Sequence, residues 1–315
     1  MAREIGGYLE LERFTGSLFH EGALALGSGR ACLRYLIEQK QIRALLLPSF
    51  ICDTVEQVCA DTGVRLRRYE VGMDLRPCPP EPEEDEWLYA VNYYGQLSQE
   101  ELEALHGRFP RLIVDNAQAY FAPPLPGADT IYTCRKFLGV PDGGFLYTDA
   151  PARPLPEDRS RERMDFVLGR LEEGAAAFYA QASRNNDLLP GEPRRMSRVT
   201  ENLLRGVDYA RVCRRRGGNF LRLHERLCAY NRLDVRPAEG AFAYPLLTDA
   251  APALRRALIE KKIFVPTLWP NVLDEQPEGS AARTLAACIL PLPCDQRYGA
   301  EEMDFIAGEL LSLLR

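Results

Sequence analysis

The residues best suited to chemistry lie between Arg111 and Thr148, where the string LIVDNAQ is followed by RKFLGVPDGGFLY. Asp115 stands just past the apolar run Leu112, Ile113, Val114, the position at which an α/β protein presents polar groups beyond the carboxyl end of a buried strand. Lys136 precedes a loop containing Gly139, Pro141, Gly143 and Gly144, which cannot continue a helix, so the chain must turn sharply there. A strand-end carboxylate and a loop lysine are the pair that pyridoxal phosphate chemistry requires. The amine forms a Schiff base, and the carboxylate pairs with the pyridinium nitrogen and keeps the ring an electron sink. Taken singly, each has a plainer reading: the aspartate as a helix cap and the lysine as a solvated surface charge.

The surrounding elements have to bring these two residues to one edge. In GSLFHEGALALGSGRACLRYLIEQ, glycines precede a helical segment whose Leu33, Leu36 and Ile37 share a face. A glycine turn feeding a helix leaves amides free to bind phosphate, although it is equally an ordinary helix start. ALLLPSFICDTVEQVCADTG reads as a buried strand over 44–47, a proline stop and a helix over about 53–60. VRLRRYEV and WLYAV read as strands separated by the solvated connection CPPEPEEDE, and Ser98 opens a capping box for a helix reaching about Leu105. Strand and helix alternate without hairpin signals, which predicts a mostly parallel sheet with helices on both faces. DTIYT is a further strand, and Phe145–Tyr147 returns antiparallel because the connection is too short for a crossover.

Beyond Ala150 the composition shifts. PARPLPEDRSRER reads as a polar linker and MDFVLGRLEEGAAAFYAQA as one amphipathic helix. The following helices are rich in arginine, including Arg194, Arg195, Arg198, Arg214, Arg215 and Arg216. That cluster could receive a nucleotide diphosphate, but its favoured reading is a solvated or subunit-contact face. AFAYPLL as a strand, APALRRALIEKK as a helix, IFVPTLWP as a strand and turn, and EEMDFIAGELLSLL as a closing helix predict a small α+β domain. The expected division is a large domain over 1–205 and a small carboxyl-terminal domain with its linking helix over 206–315.

DNAQ followed by KFLGVPDGG resembles the DxA(Q/H) and KxxxxxxGG signatures of the DegT/StrS-type sugar aminotransferases, which are fold-type-I pyridoxal phosphate enzymes. The resemblance implies that Asp115 meets the ring nitrogen, Gln118 lies beside it on the cofactor, and Lys136 carries the cofactor. GSGRACL resembles the family's SGTAAL segment and assigns Ser28, Gly29, Arg30 and Ala31 to the phosphate, with Arg30 where a small hydroxyl residue is common. PSFIC resembles the PxxT(W/C) turn and leaves either Phe50 or Cys52 to face the ring. NYYGQ is similar to VHxYG and puts Asn92 at the polar position. MSRVT and ILPLPCDQRYGAEEM resemble further family segments, so the likeness spans most of the chain.

Three departures accompany it. Ile131 stands where the family usually has a phosphate-binding Ser or Thr, with Thr133 or Cys134 as the nearest substitutes. PRRM stands in place of NYRM and lacks its asparagine. The chain is also shorter than typical members. The implied activity is transfer of an amino group from glutamate or glutamine to a nucleotide-linked keto sugar, in a homodimer with pyridoxal 5′-phosphate as cofactor. The rival readings are a catalytically degenerate fold-type-I protein with a structural or regulatory role, and another pyridoxal phosphate reaction such as sugar dehydration. The family's dehydratases replace the lysine with histidine, so Lys136 argues against the latter.

Composition narrows the remaining classes. At 315 residues the chain can bury one large core and a smaller one. A net charge of −6 and a pI near 5.4 point away from nucleic acid and anionic membranes. Nine scattered cysteines without a CxxC pair suggest reduced thiols, and three histidines, His20, His106 and His224, show no metal-ligand spacing. The amino terminus, MAREIGGYLELERF, carries acids where a signal peptide has a basic region, and no stretch is apolar enough to span a bilayer. A cytoplasmic protein is expected.

Overall fold

Short apolar runs alternate with helical segments through the first half of the chain, and in the computed structural model, which describes residues 5–314, they assemble one eight-stranded sheet. In chain order the elements are β1 (Leu24–Leu26), α1 (Gly29–Lys40), β2 (Ala44–Pro48), α2 (Asp53–Thr62), β3 (Arg65–Val71), β4 (Pro77–Cys78), β5 (Glu86–Val91), α3 (Gln99–Arg108), β6 (Leu112–Asp115), β7 (Asp129–Thr133) and β8 (Gly144–Tyr147). The spatial order is β1-β8-β7-β6-β5-β2-β3-β4. The five strands from β7 to β3 run parallel, whereas β1/β8, β8/β7 and β3/β4 pair antiparallel. This is the mostly parallel α/β sheet expected from the sequence. β2 and β6 are buried along their whole length, as the unbroken apolar runs ALLL and LIV require of strands covered on both faces. The edge strands β1 and β4 were not anticipated; at three and two residues they are too short to show a period.

Ser98 caps α3 in a complete capping box: Glu101 N–H donates to Ser98 Oγ at 3.2 Å and Ser98 N–H to Glu101 Oε2 at 2.6 Å. A cap of this kind stabilises a helix by about 1 kcal/mol.

After β8 the chain forms α4 (Asp165–Glu172), α5 (Tyr179–Leu188), α6 (Arg198–Arg205), α7 (Tyr209–Leu227), β9 (Tyr244–Leu247), α8 (Ala251–Glu260), α9 (Pro270–Glu275), α10 (Ala281–Cys288), β10 (Ile289–Leu292) and α11 (Ala300–Leu314). The single amphipathic helix expected over MDFVLGRLEEGAAAFYAQA is in fact two. The amides of Glu173 and Gly174 both close back on the Gly169 carbonyl, and Gly174 takes φ +102°, which ends α4 and turns the chain into α5. IFVPTLWP also departs from expectation, forming no strand. Pro266 interrupts it, β9 pairs only with β10, and Pro270 opens α9 instead. α7 presents Val212, Phe220, Leu223 and Leu227 to the core and packs on α11, which contributes Met303, Ile306, Ala307 and Leu310. Among the described residues no helix is long and apolar enough to cross a membrane, and no group of three or more His, Cys, Asp or Glu is placed to hold a metal ion.

Candidate active site

The parallel strands end side by side, with Val91, Asp115 and Ile131 in register across β5, β6 and β7. Asp115 is fixed on both oxygens: Ala117 N–H donates to Oδ1 at 2.7 Å, and the Tyr89 hydroxyl donates to Oδ2 at 2.8 Å. Burial pushes its carboxyl up; the Lys136 ammonium, the Ala117 amide and the Tyr89 hydroxyl oppose that. Gln118 is buried, and its Oε1 accepts the Tyr94 amide at 2.9 Å while its Nε2 has no partner among the described residues.

Lys136 sits in the turn between β7 and β8, which is closed by the amides of Phe137 and Leu138 on the Cys134 carbonyl. Its Nζ lies 5.8 Å from the centre of the Phe242 ring, and the residue remains exposed on its other side. Burial pushes the Cys52 thiol up, and the Lys136 ammonium opposes it, so Cys52 and Asp115 both lie within charge range of the lysine. Of the two candidates for the ring, Cys52 is the one within charge range of the lysine. Phe50 is instead core, 1% exposed and packed 5.1 Å from Tyr93 and 5.0 Å from Trp269.

The paired glycines after the lysine each have a separate reason. Gly143 takes φ +117° and a Cβ there would overlap Cys134 Sγ, while a Cβ on Gly144 would stand 2.6 Å from the Ser28 carbonyl carbon. Gly143 N–H also donates to the Gly27 carbonyl at 2.7 Å. The hairpin is thereby pressed against the start of α1. There Ser28 caps the helix, its Oγ accepting the Ala31 amide at 3.1 Å, and Gly29 lies over Ile131. The Thr133 hydroxyl donates to the Gly143 carbonyl at 3.2 Å and the Cys134 thiol to the Asp142 carbonyl at 3.4 Å, both inside the hairpin. Arg30 donates to the backbone carbonyl of Asn186 in α5. Asn92 is taken up in the scaffold: Nδ2 donates to Asn116 Oδ1 at 3.0 Å and Oδ1 accepts the Leu97 amide at 2.9 Å, tying the end of β5 to that of β6.

Sequence reasoning missed three residues here. Arg216, read as part of a solvated face, is 2% exposed; it donates to the carbonyls of Phe137 and Ala241, each at 2.9 Å, and stacks on the Phe137 ring at 4.7 Å. The usable signal was its place on the same helical face as Val212, Phe220 and Leu223. Phe242, which covers Lys136, follows Ala241 and is held in place by this arginine. Gln96 holds the other end of that segment: Arg236 N–H donates to Gln96 Oε1 at 2.7 Å and Gln96 Nε2 donates to the Arg236 carbonyl at 3.0 Å.

No family model and no curated protein matches this sequence. Among solved structures, DesV of S. venezuelae in complex with a ketimine intermediate is similar over 92% of this chain and 84% of its own, with TM-score 0.68 and 17% identity. A DegT DnrJ EryC1 StrS aminotransferase from Brucella abortus matches over 92% of this chain and 85% of its own at TM-score 0.63 and 16% identity. DesI in the presence of its TDP-sugar product matches over 91% and 79% at TM-score 0.63 and 14% identity, and the PLP form of the sugar aminotransferase Spr1654 from Streptococcus pneumoniae over 92% and 86% at TM-score 0.63 and 12% identity. The chain has the fold of the DegT/DnrJ/EryC1/StrS sugar aminotransferases, a fold-type-I sheet with a second, smaller sheet near its carboxyl terminus.

Proposed function

We propose that this protein is a pyridoxal phosphate-dependent aminotransferase that moves an amino group from glutamate or glutamine onto a nucleotide-linked keto sugar. The observation that carries the reading is the charge pairing of Asp115 with Lys136 beyond the carboxyl ends of β6 and β7, with the buried Gln118 three residues after that aspartate. The residues present fit the cofactor. Asp115 is a buried carboxylate that a pyridinium N–H would match, Gln118 Nε2 is a buried donor awaiting an acceptor, and α1 begins beside the lysine hairpin. When bound, pyridoxal phosphate supplies an electron sink for the carbon that bears the amine. Asp115 would hold the ring through its nitrogen, and Lys136 Nζ, as a free amine, would accept the proton from the substrate carbon of the donor and return it to the carbon of the acceptor that gains the amine, with Phe242 shielding that amine from water on one side. The sugar substrate is supported by the likeness to DesI in the presence of its TDP-sugar product, and the cofactor by that to the PLP form of Spr1654.

The same reading includes a large unit over 1–205 with a small one over 206–315, in a homodimer. The exposed side chains of Tyr8, Leu9, Leu171 and Tyr179 suit a subunit contact. All nine cysteines are free, in keeping with a cytoplasmic setting. Ile131, in place of a phosphate-binding hydroxyl, favours a second reading, a fold-type-I protein without turnover.

The deciding experiment is to add pyridoxal phosphate, record the visible absorbance, reduce with borohydride and map the labelled peptide. A pyridoxyl group on Lys136 is expected. Lys136→Ala should stay folded, lose the label and lower amino transfer from glutamate by at least about a thousandfold. A folded wild-type protein that takes no label, or takes it elsewhere, would overturn the assignment; a label without turnover on any amino donor would favour the second reading.

A further inference from the structure

The end of the site near α1 holds more positive charge than its own side chains neutralise. Arg30 is the second residue of α1, and Arg135 immediately precedes Lys136. Both guanidiniums reach Asn186: Arg30 bonds its backbone carbonyl, and Arg135 Nη1 donates to its Oδ1 at 2.8 Å. The carboxylates nearby, Asp142 and Asp158, are both engaged by Arg163, at 3.3 and 2.6 Å. Neither Arg30 nor Arg135 makes a salt bridge among the described residues, and Arg135 Nε is buried with no partner. Burial pushes the Arg135 guanidinium down, and Arg30 and Arg163 act in the same direction, while Cys134 and Asp142, whose Oδ1 has no hydrogen-bond partner among the described residues, oppose it. A buried guanidinium such as that of Arg135, with a second one beside it at the edge of solvent, is unfavourable unless an anion joins them. Ser28 Oγ takes the Ala31 amide and leaves those of Gly29 and Arg30 for a ligand, which adds the positive end of a twelve-residue helix.

We propose that Arg30 and Arg135 form the seat of the cofactor's phosphate dianion, with Asn186 as the positioning residue that holds the two forks, in place of the hydroxyl that Ile131 cannot offer. The inference rests on the aminotransferase reading and adds to it Arg135 and Asn186. A guanidinium donates through two parallel N–H groups to two phosphate oxygens, so two such forks can replace the contacts of a hydroxyl and a neutral amide. They also explain how a chain with isoleucine above its lysine can still hold a phosphorylated ligand.

The test compares wild type, Arg135→Met, Arg135→Lys and the double variant Arg30→Met/Arg135→Met. Each is titrated with pyridoxal phosphate and with pyridoxal, which has no phosphate, and its melting temperature is followed against inorganic phosphate. Arg135→Met should bind pyridoxal phosphate roughly tenfold to a hundredfold more weakly, with pyridoxal affinity unchanged. The double variant should lose more, and Arg135→Lys, which keeps the charge without the fork and guards against misfolding, should fall between. Inorganic phosphate should raise the melting temperature of the wild type and not that of the double variant.

A double variant that binds pyridoxal phosphate and responds to phosphate like the wild type overturns the seat and leaves the Lys136 reading intact. A wild type that takes no pyridoxal phosphate, yet shows a phosphate response that the double variant lacks, keeps the seat as an anion site and overturns the function. A wild type indifferent to both ligands overturns both.

Discussion

At the proposed ring end of the site, Asp115 and Gln118 are held by groups within two neighbouring strands and their turns. At the proposed phosphate end, Arg30 and Arg135 are held by one asparagine of α5, brought from far along the chain. The two ends answer different demands. A ring nitrogen needs one carboxylate at one point, because its role is to keep a single proton in place. A phosphate dianion needs donors and positive potential over a wider volume, and a hydroxyl, an amide or a guanidinium can each contribute. The familiar sequence signature therefore survives at the first end, whereas the second end can be rebuilt from other residue types.

That contrast can be broken most directly at the ring end. Asp115→Asn should leave borohydride labelling of Lys136 intact and lower kcat/KM for amino transfer about 10²–10³-fold; a loss below tenfold would show that the carboxylate is not the proton-holding group. Between the two ends lies Gly144, packed on the Ser28 carbonyl. Gly144→Ala should destabilise the fold by about 1–3 kcal/mol in denaturant unfolding. Gly139→Ala is the matched control: its Cβ would meet Val167 at an ordinary 3.7 Å, and it should cost less. Equal costs would mean that the hairpin does not need its close approach to α1.

The smallest effect belongs to Glu101, outside both ends. Burial works against its charge, but the Ser98 amide and the guanidiniums of Arg236 and Arg76 outweigh it and pull the carboxyl down to about 2. Because the folded value is depressed, its contribution is present above the ordinary carboxylate value and is lost as pH falls towards about 2. Unfolding curves of wild type and Glu101→Gln should differ near neutrality and converge at the acid end; a constant gap would exclude this ion cluster as the cause.

Much of this architecture was legible because its cause is local. Asp115 follows its own apolar strand, Ser98 and Glu101 announce their helix within four residues, and the short connection after Lys136 forces an antiparallel return. Other features depend on partners that no spacing reveals. Arg135 meets Asn186 across 51 residues of chain, and Arg216 looks like surface charge until its helical face is compared with those of Val212 and Phe220. The interruption at Gly174 and the absence of a strand in IFVPTLWP follow from one backbone turn and from a missing strand partner, neither of which is written in hydrophobic periodicity.

The reciprocal bonds between Gln96 and the backbone of Arg236 make a side chain behave as one more rung of a β-ladder. Together with Arg216 at the far end, they fasten the segment bearing Phe242 at both of its ends. The aromatic cover over Lys136 is thus a lintel rather than a door. If Lys136 carries the chemistry proposed for it, a substrate would have to reach it along its exposed flank, past a cover whose position is set by fixed masonry.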